Sequence, residues 1–183
     1  ELAKKGTGWT NPNPLVGAVI VKDGRIIGEG YHKKYGELHA EREALASANE
    51  DVSGATIYVT LEPCCHYGKQ PPCVNAIIEA GIKRVVIGSY DPNPLVAGKG
   101  VDILREHNIT VDDKLVCSEE CKSLNYVFFN YIKEKKPYVI LKYAQSLDGK
   151  IATHTGLSQW ITGETPRNKV HMDRHRYSAV MVG

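Results

Sequence analysis

The sequence predicts an α/β domain in which helices are layered against a β-sheet. Two observations support this expectation: a hairpin signal near the N-terminus, and a regular alternation of β-branched and helix-forming segments after it. The hairpin joins residues 15–21 to residues 25–31 through the turn Lys22-Asp23-Gly24. Helices are then predicted at 39–48, 74–80 and 100–107, and strands at 55–61, 84–88 and 109–111.

The length of the chain, 183 residues, and a change in its sequence pattern indicate one sizeable domain followed by part of a second. A helical pattern with an aromatic stripe runs over 119–134, and Lys135-Lys136-Pro137 closes it. We therefore place a boundary near 136, which divides the chain into residues 1–136 and 137–183. In the second part, strands are predicted at 138–143 and near the end of the chain, with a helix over 167–176 between them.

Composition argues against several classes of protein. A net charge of +2 is too small to indicate nucleic-acid binding by itself, and no apolar run reaches the roughly 20 residues that a membrane helix needs. The five cysteines are odd in number and partly clustered, which favours metal binding in a reducing compartment, the cytoplasm, over a disulfide framework. The first residues, Glu1-Leu2-Ala3-Lys4-Lys5, are typical of the middle of a helix, so we expect the natural start to lie upstream.

The candidate metal ligands are one histidine and two cysteines. His39-Ala40-Glu41 opens a predicted helix, Pro63-Cys64-Cys65 follows a predicted strand, and Pro71-Pro72-Cys73 opens another helix. Such a set suits tetrahedral zinc, and three protein ligands leave a fourth position for water. Zinc lowers the pKa of water from about 15.7 towards neutrality, and a carboxylate two residues from the histidine can transfer protons. The pattern His-x-Glu followed by Pro-Cys is typical of zinc deaminases, although the second cysteine comes nine residues later rather than three.

Longer segments resemble the bifunctional riboflavin-biosynthesis deaminase/reductase family along essentially the whole chain. They are residues 11–17 (NPNPLVG), 39–41 (HAE), 62–73 (EPCCHYGKQPPC), 91–100 (DPNPLVAGKG), 141–142 with 146–150 (LK, SLDGK) and 158–163 (SQWITG). The resemblance implies a cytidine-deaminase-like three-layer α-β-α fold with a mixed sheet, followed by the start of a dihydrofolate-reductase-like α/β domain. It also implies hydrolytic deamination of a diamino-ribosylamino-pyrimidinone 5′-phosphate in riboflavin biosynthesis.

Site roles follow from the same resemblance. The zinc ligands are His39, Cys64 and Cys73, Glu41 is the proton donor and acceptor, and Cys65 is not a ligand. Six further residues match substrate-holding positions: Asn13, which reads the pyrimidine edge; His32, His66 and Lys69, which suit a ribose phosphate; and Asp91 and Asn93, which suit hydroxyls or ring nitrogens.

In the second part, the resemblance is to the beginning of a reductase that uses NADPH. Ala144 and Trp160 match cofactor-contacting positions, and Ser158 and Arg174 match substrate-contacting positions. The family's reductase continues well past Gly183, so we expect reduction of the ribose only from a complete chain.

Three other interpretations stay open at this stage. A nucleic-acid deaminase uses the same zinc chemistry but needs a basic or aromatic channel, and the only basic cluster is at 133–136. A small-molecule nucleoside or nucleotide deaminase shares the metal motif but lacks the two Asn-Pro and Asp-Pro segments. A structural zinc module would use Cys65 or His66 as a fourth ligand. The expected partner is a small-molecule phosphoribosylaminopyrimidine, with no nucleic acid and no membrane, and homo-oligomerisation is left open.

Overall fold

A computed structural model describes residues 1–94, 96–113 and 117–182. The elements of the first 136 residues alternate largely as the sequence predicts. The strands are β1 Gly17–Lys22, β2 Arg25–Tyr31, β3 Thr56–Val59, β4 Arg84–Ile87 and β5 Thr110–Asp112; the helices are a 3-10 turn at Leu2–Gly6, α1 Ala40–Ala46, α2 Cys73–Glu79, α3 Lys99–Glu106, α4 Ser118–Leu124, α5 Tyr126–Glu134 and α6 Glu164–Arg176. The chain divides into two compact units, Glu1–Lys136 and Pro137–Gly183.

The five strands form one mixed sheet in the order β2-β1-β3-β4-β5. Strand β1 runs antiparallel to both β2 and β3, whereas β3, β4 and β5 are parallel to one another. Two parallel crossovers are made by α2 and α3, as connections between parallel strands require. The mixed sheet with helices confirms the fold class that the sequence predicts.

One face of the sheet packs against α1, α2 and α3 and holds the apolar core. Residues of β1, β3, β4 and β5 that point to this face are at most 8% exposed: Ala18, Ile20, Ile57, Val59, Val85, Ile87 and Val111. Strand β2 presents Gly28 and Gly30 to α1, where an added Cβ would collide with the main chain of Ala40 and Ala44. Glycine is therefore required in β2 to bring α1 close, and that approach places His39 beside the sheet.

The opposite face of the sheet is covered at its ends by the N-terminal 3-10 turn and by α4. Gly17 meets the main chain of Ala3 in the N-terminal 3-10 turn, and Gly88 meets Cys121 of α4. Cys121 therefore packs between a helix and the sheet, while Cys117 is exposed at the N-terminal end of α4.

The helix predicted over 119–134 is broken at Asn125, which separates α4 from α5. Asn125 is 5% exposed, and its side chain accepts a hydrogen bond from Leu15 N–H at 2.7 Å and donates one to Leu15 C=O at 2.8 Å. This paired contact ties the helices to the segment that enters β1. The partner of Asn125 is 110 residues away in the sequence, so the local pattern did not reveal the break.

In the second unit, the strands predicted at 138–143 and near the C-terminus do not form within its described residues. Val139 and Leu141 are each 82% exposed. A strand needs a neighbouring strand to pair its main-chain groups, and the described part of this unit supplies none. Helix α6 forms and begins three residues earlier than the predicted 167–176. Among the described residues, no helix combines the length and apolar character needed to cross a bilayer.

Candidate metal centre

The candidate site lies where the parallel strands β3 and β4 end. The loop after β3 carries Cys64, and the loop after β4 carries Asp91 and Asn93. Because β1 is antiparallel to β3, the segment that enters β1, with Asn13, lies at the same edge of the sheet. Crevices at the carboxyl ends of parallel strands are the usual binding sites of α/β sheets.

His39, Cys64 and Cys73 meet in an arrangement that suits a metal ion. Their ligand atoms all lie within 4.8 Å of one another. His39 Nδ1 is 3.5 Å from Cys64 Sγ and 3.4 Å from Cys73 Sγ. In tetrahedral zinc coordination, Zn–N of about 2.0–2.1 Å and Zn–S of about 2.3 Å put nitrogen and sulfur about 3.6 Å apart. The donor set and its spacing therefore fit zinc.

The sequence places these three side chains through local structure. His39 is the residue before α1, and Cys73 is the first residue of α2 and is fully buried. Cys64 lies in the loop after β3 and accepts a hydrogen bond from the Cys73 main-chain N–H at 3.4 Å. Hydrogen bonding from the Cys73 thiol and from His39 lowers the pKa of Cys64 to about 4 and thereby favours a thiolate, the form that binds metals.

Glu41 lies in the first turn of α1 and is 3% exposed. Burial, with a smaller contribution from the charge of Cys64, raises the pKa of Glu41 to about 7. A carboxyl group with a pKa near neutrality can both accept and release a proton under ordinary conditions. Glu41 is thus a buried carboxyl group, beside the three candidate ligands, whose pKa suits proton transfer.

His32 is buried in the protein and does not lie at its surface. It is 3% exposed, its Nδ1 lies 2.9 Å from the Leu38 carbonyl and its Nε2 lies 3.1 Å from Asn13 Nδ2. Burial lowers its pKa and favours a neutral ring, which donates to Leu38 and accepts from Asn13. These surroundings differ from those expected of a histidine that binds a ribose phosphate. In this arrangement His32 orients the amide of Asn13.

His66 and Lys69 lie on the exposed part of the loop between Cys64 and Cys73. Lys69 Nζ is 4.2 Å from the centre of the Tyr35 ring, a cation–π contact. Gln70 donates a hydrogen bond to the Gly36 carbonyl at 2.9 Å, which holds this loop against the segment before α1. Both side chains therefore lie in the exposed part of this loop, outside the set of candidate ligands.

Asp91 and Asn93 form the other wall and are half-buried. Asp91 Oδ1 accepts a hydrogen bond from the Asn93 main-chain N–H at 2.8 Å. Burial raises the pKa of Asp91 from 3.8 to about 6. Keeping Asp91 charged in the folded protein therefore lowers the free energy of unfolding.

We expect Asp91→Asn to be more stable than the wild type at pH 7.5. Because the pKa is raised on folding, the folded wild type binds a proton between about pH 4 and 6 that the unfolded chain does not, and its stability falls as pH rises through this range. The variant should gain about 1–2 kcal/mol above pH 6, and the gain should vanish near pH 4. Urea unfolding at several pH values measures this, with the exposed Asp102→Asn as the control for loss of one charge. An equal gain at pH 4 and pH 7.5 would contradict the expectation.

Comparison with known proteins agrees with this geometry. Residues 1–89 match the family model of the cytidine and deoxycytidylate deaminase zinc-binding region, and residues 137–183 match the RibD C-terminal domain. The chain is 61% identical, over 182 residues, to the riboflavin biosynthesis protein RibD of Actinobacillus pleuropneumoniae, covering 100% of this chain and 48% of that protein. The chain is similar to RibD proteins along its whole length. The family resemblance seen in the sequence is thereby confirmed.

Solved structures of RibD proteins share the fold. A deaminase/reductase from Thermotoga maritima aligns with a TM-score of 0.91 at 57% identity, over 97% of this chain and 51% of that one. Acinetobacter baumannii RibD aligns with a TM-score of 0.88 at 51% identity, over 95% of this chain and 49% of that one. The chain thus spans about half the length of the RibD relatives that it matches.

The four residues expected to contact cofactor or substrate in the second unit are mostly exposed within its described residues. Trp160 is 70% exposed, and the Arg167 guanidinium stacks on its ring at 4.5 Å. Arg174 is exposed and contacts His171 at 3.4 Å, Ser158 is exposed and Ala144 is half-buried.

Sequence reasoning missed Glu62, the residue before Pro63-Cys64. It is 3% exposed although charged, and its carboxylate accepts hydrogen bonds from main-chain N–H groups of the loop after β4 and of α3. Its only sequence signal is a glutamate at the end of an apolar strand, and its partners are 29–39 residues away.

Proposed function

We propose that residues 1–136 form a zinc-dependent hydrolytic deaminase domain of riboflavin biosynthesis. Its substrate would be 2,5-diamino-6-(ribosylamino)-4(3H)-pyrimidinone 5′-phosphate, from which it releases an exocyclic amine as ammonia. The observation that carries this proposal is the three-ligand set beside the buried Glu41, in a chain with high identity to RibD proteins over its whole length.

In the proposed centre, His39, Cys64 and Cys73 hold zinc and Glu41 carries the proton. A zinc ion there supplies a Lewis acid that makes water a good nucleophile near neutral pH. The Glu41 carboxylate takes the proton from the attacking water and, as the carboxylic acid, delivers it to the leaving amine. Its pKa of about 7 suits both steps, because neither protonation state is strongly disfavoured.

The substrate would lie between the Asn13 loop and the Asp91 loop. The hydrogen bond from Asn13 Nδ2 to His32 fixes the amide, so that Asn13 Oδ1 can accept from an amino group of the pyrimidine. Asp91 and Asn93 would bind hydroxyls or ring nitrogens from the opposite side. Lys69 and His66, at the exposed rim, would meet the 5′-phosphate, which stays partly in solvent.

The decisive test is ammonia release from the diaminopyrimidine ribotide, compared with cytidine, deoxycytidylate and adenosine at equal concentration. We expect turnover of the ribotide and at least about 100-fold lower kcat/KM for the other three, because buried polar groups are left unpaired by the wrong base. A preference for deoxycytidylate or cytidine would instead favour a nucleotide or nucleoside deaminase.

Lys69→Ala should raise KM for the ribotide by about tenfold and leave kcat and zinc content nearly unchanged. A charge-assisted hydrogen bond to phosphate contributes about 1.5–3 kcal/mol, and part of this is lost to solvent at the rim. Steady-state kinetics with the ribotide and with its dephosphorylated riboside measure the effect. The riboside should be insensitive to the substitution, and Lys83→Ala, on an exposed residue before β4, is the matched control. An equal effect on both substrates would contradict a phosphate contact.

We infer that residues 137–183 belong to the reductase domain, so the boundary lies at 136/137, where the second family match begins. Reduction of the ribose with NADPH is proposed for the complete protein, with contributions from Ala144, Ser158, Trp160 and Arg174. A cytoplasmic location and a homo-oligomeric state are further expectations of this proposal.

A further inference from the structure

Glu62 joins the two loops that form the walls of the proposed site. Its Oε2 accepts hydrogen bonds from the main-chain N–H groups of Asp91 at 3.3 Å and Gly98 at 3.0 Å. Its Oε1 accepts from Gly100 at 3.1 Å and Val101 at 3.4 Å. The Glu62 N–H itself donates to the Ser89 carbonyl at 2.9 Å. One buried carboxylate thus binds both ends of the Asp91 loop and the start of α3.

The need for a carboxylate follows from the donors around it. The first N–H groups of a helix have no partner within the helix, and Gly100 and Val101 lie in the first turn of α3. A buried charge is tolerated when its oxygens are fully hydrogen-bonded, and four N–H donors meet this condition. An amide at this position would keep two accepting contacts and turn its own donors towards the other two N–H groups.

The contacts to Asp91 and Gly98 go beyond helix capping. They fix the two ends of the loop that holds Asn93, whose carbonyl in turn accepts from Val96 N–H at 2.8 Å and Ala97 N–H at 2.9 Å. On the other side, an added Cβ at Gly100 would meet the Pro63 carbonyl and the Glu62 side chain, so α3 is seated directly on the Cys64 loop. The distance between Cys64 and Asn93 therefore depends on Glu62.

We propose that Glu62 is a positioning residue that holds the Asp91–Asn93 wall at the correct distance from the Cys64 ligand loop and thereby seats the substrate. This inference rests on the proposed deaminase function for its kinetic consequence. Glu62 touches neither substrate nor metal in this role and acts through Asn93 and Asp91.

The test is a double-mutant cycle of Glu62→Gln and Asn93→Ala, with KM, kcat and zinc content measured for each protein. Glu62→Gln should raise KM for the ribotide about tenfold, change kcat less than about threefold, and keep one zinc per chain. In the Asn93→Ala background the same substitution should change KM clearly less than it does in the wild type, because one of the two substrate contacts that it positions is already gone. Equal effects in both backgrounds, or loss of zinc from Glu62→Gln, would overturn the proposal. Glu106→Gln, at the exposed end of α3, is the control.

Hydrogen exchange supplies a readout that does not depend on activity. The amides of Asp91, Gly98, Gly100 and Val101 should exchange at least about tenfold faster in Glu62→Gln than in the wild type, while those of β3 and α1 stay protected. If the wild type does not deaminate the ribotide but this exchange pattern appears, the proposed function fails and the loop-holding role stands. Unchanged exchange at these four amides overturns the role of Glu62.

If Glu62→Gln does not fold, Gly100→Ala tests the same geometry with the carboxylate intact. Its added methyl group pushes α3 away from Pro63. It should raise KM with zinc retained, and an unchanged KM in this folded variant would contradict the proposal.

Discussion

Replacing Glu41 with Gln is expected to abolish deamination while zinc stays bound at one ion per chain. Glutamine keeps the size of the side chain and fills the same buried position, which is 3% exposed. It cannot accept a proton from water or return one to the leaving amine, and loss of a general acid–base group typically costs about 10²–10⁴-fold in rate. The effect should fall on kcat, because Glu41 acts on the reacting atoms.

The matched control is Glu43→Gln in the same helix. Glu43 pairs with Lys33 at 2.6 Å on a partly exposed side of α1, away from the ligands, and such a pair contributes at most about 1 kcal/mol. Ammonia release, metal analysis and thermal unfolding of the three proteins separate a chemical defect from a folding defect. Turnover by Glu41→Gln within tenfold of the wild type would remove Glu41 from the proposed chemistry.

The sequence is a good guide to those parts of the fold that depend on local pattern. The hairpin over residues 15–31 is evident because a two-residue Asp-Gly turn separates two apolar segments, and β2 spans Arg25–Tyr31 as predicted. The helix start at His39 is evident from the helix-forming residues that follow it, and the start at Cys73 from the prolines before it. Each of these features is decided by residues within a few positions of one another.

Features that depend on distant partners could not be predicted in this way. At the break between α4 and α5, Asn125 is hydrogen-bonded to Leu15, 110 residues away in the sequence. The strands expected over 138–143 alternate like real strands, but pairing needs a neighbour that the described residues of that unit do not contain.

The candidate site shows the same division. The metal-binding residue types and their order along the chain are visible as a motif, and the structure brings His39, Cys64 and Cys73 together. The surroundings of His32 are not visible, because its partners are set by the packing of the loop before α1 against Asn13. Glu62 is missed for a similar reason, since main-chain donors leave no signature in the sequence.

Replacing Cys73 with Ser is expected to release zinc, whereas Cys65→Ser should retain it. Cys73 is fully buried and its Sγ is 3.4 Å from His39 Nδ1, so serine fits the same space but offers a poor ligand for zinc. After dialysis against a chelator, we expect Cys73→Ser to keep less than about 0.1 zinc per chain and to lose activity with it. Its melting temperature should also stop responding to added zinc, because ligand binding stabilises only a folded state that binds it.

Cys65→Ser and His66→Ala decide between a catalytic and a closed structural site. In a catalytic centre with three protein ligands, neither substitution removes a donor, and both variants should keep one zinc per chain. In a structural site with four protein ligands, the residue that completes the set would be one of these two, and its loss would lower zinc affinity as strongly as the loss of Cys73. Zinc retention in both variants, together with zinc loss in Cys73→Ser, leaves the fourth position to water and supports hydrolysis at this centre. Zinc loss from either variant would make the centre structural and would leave the buried Glu41 without its proposed substrate water.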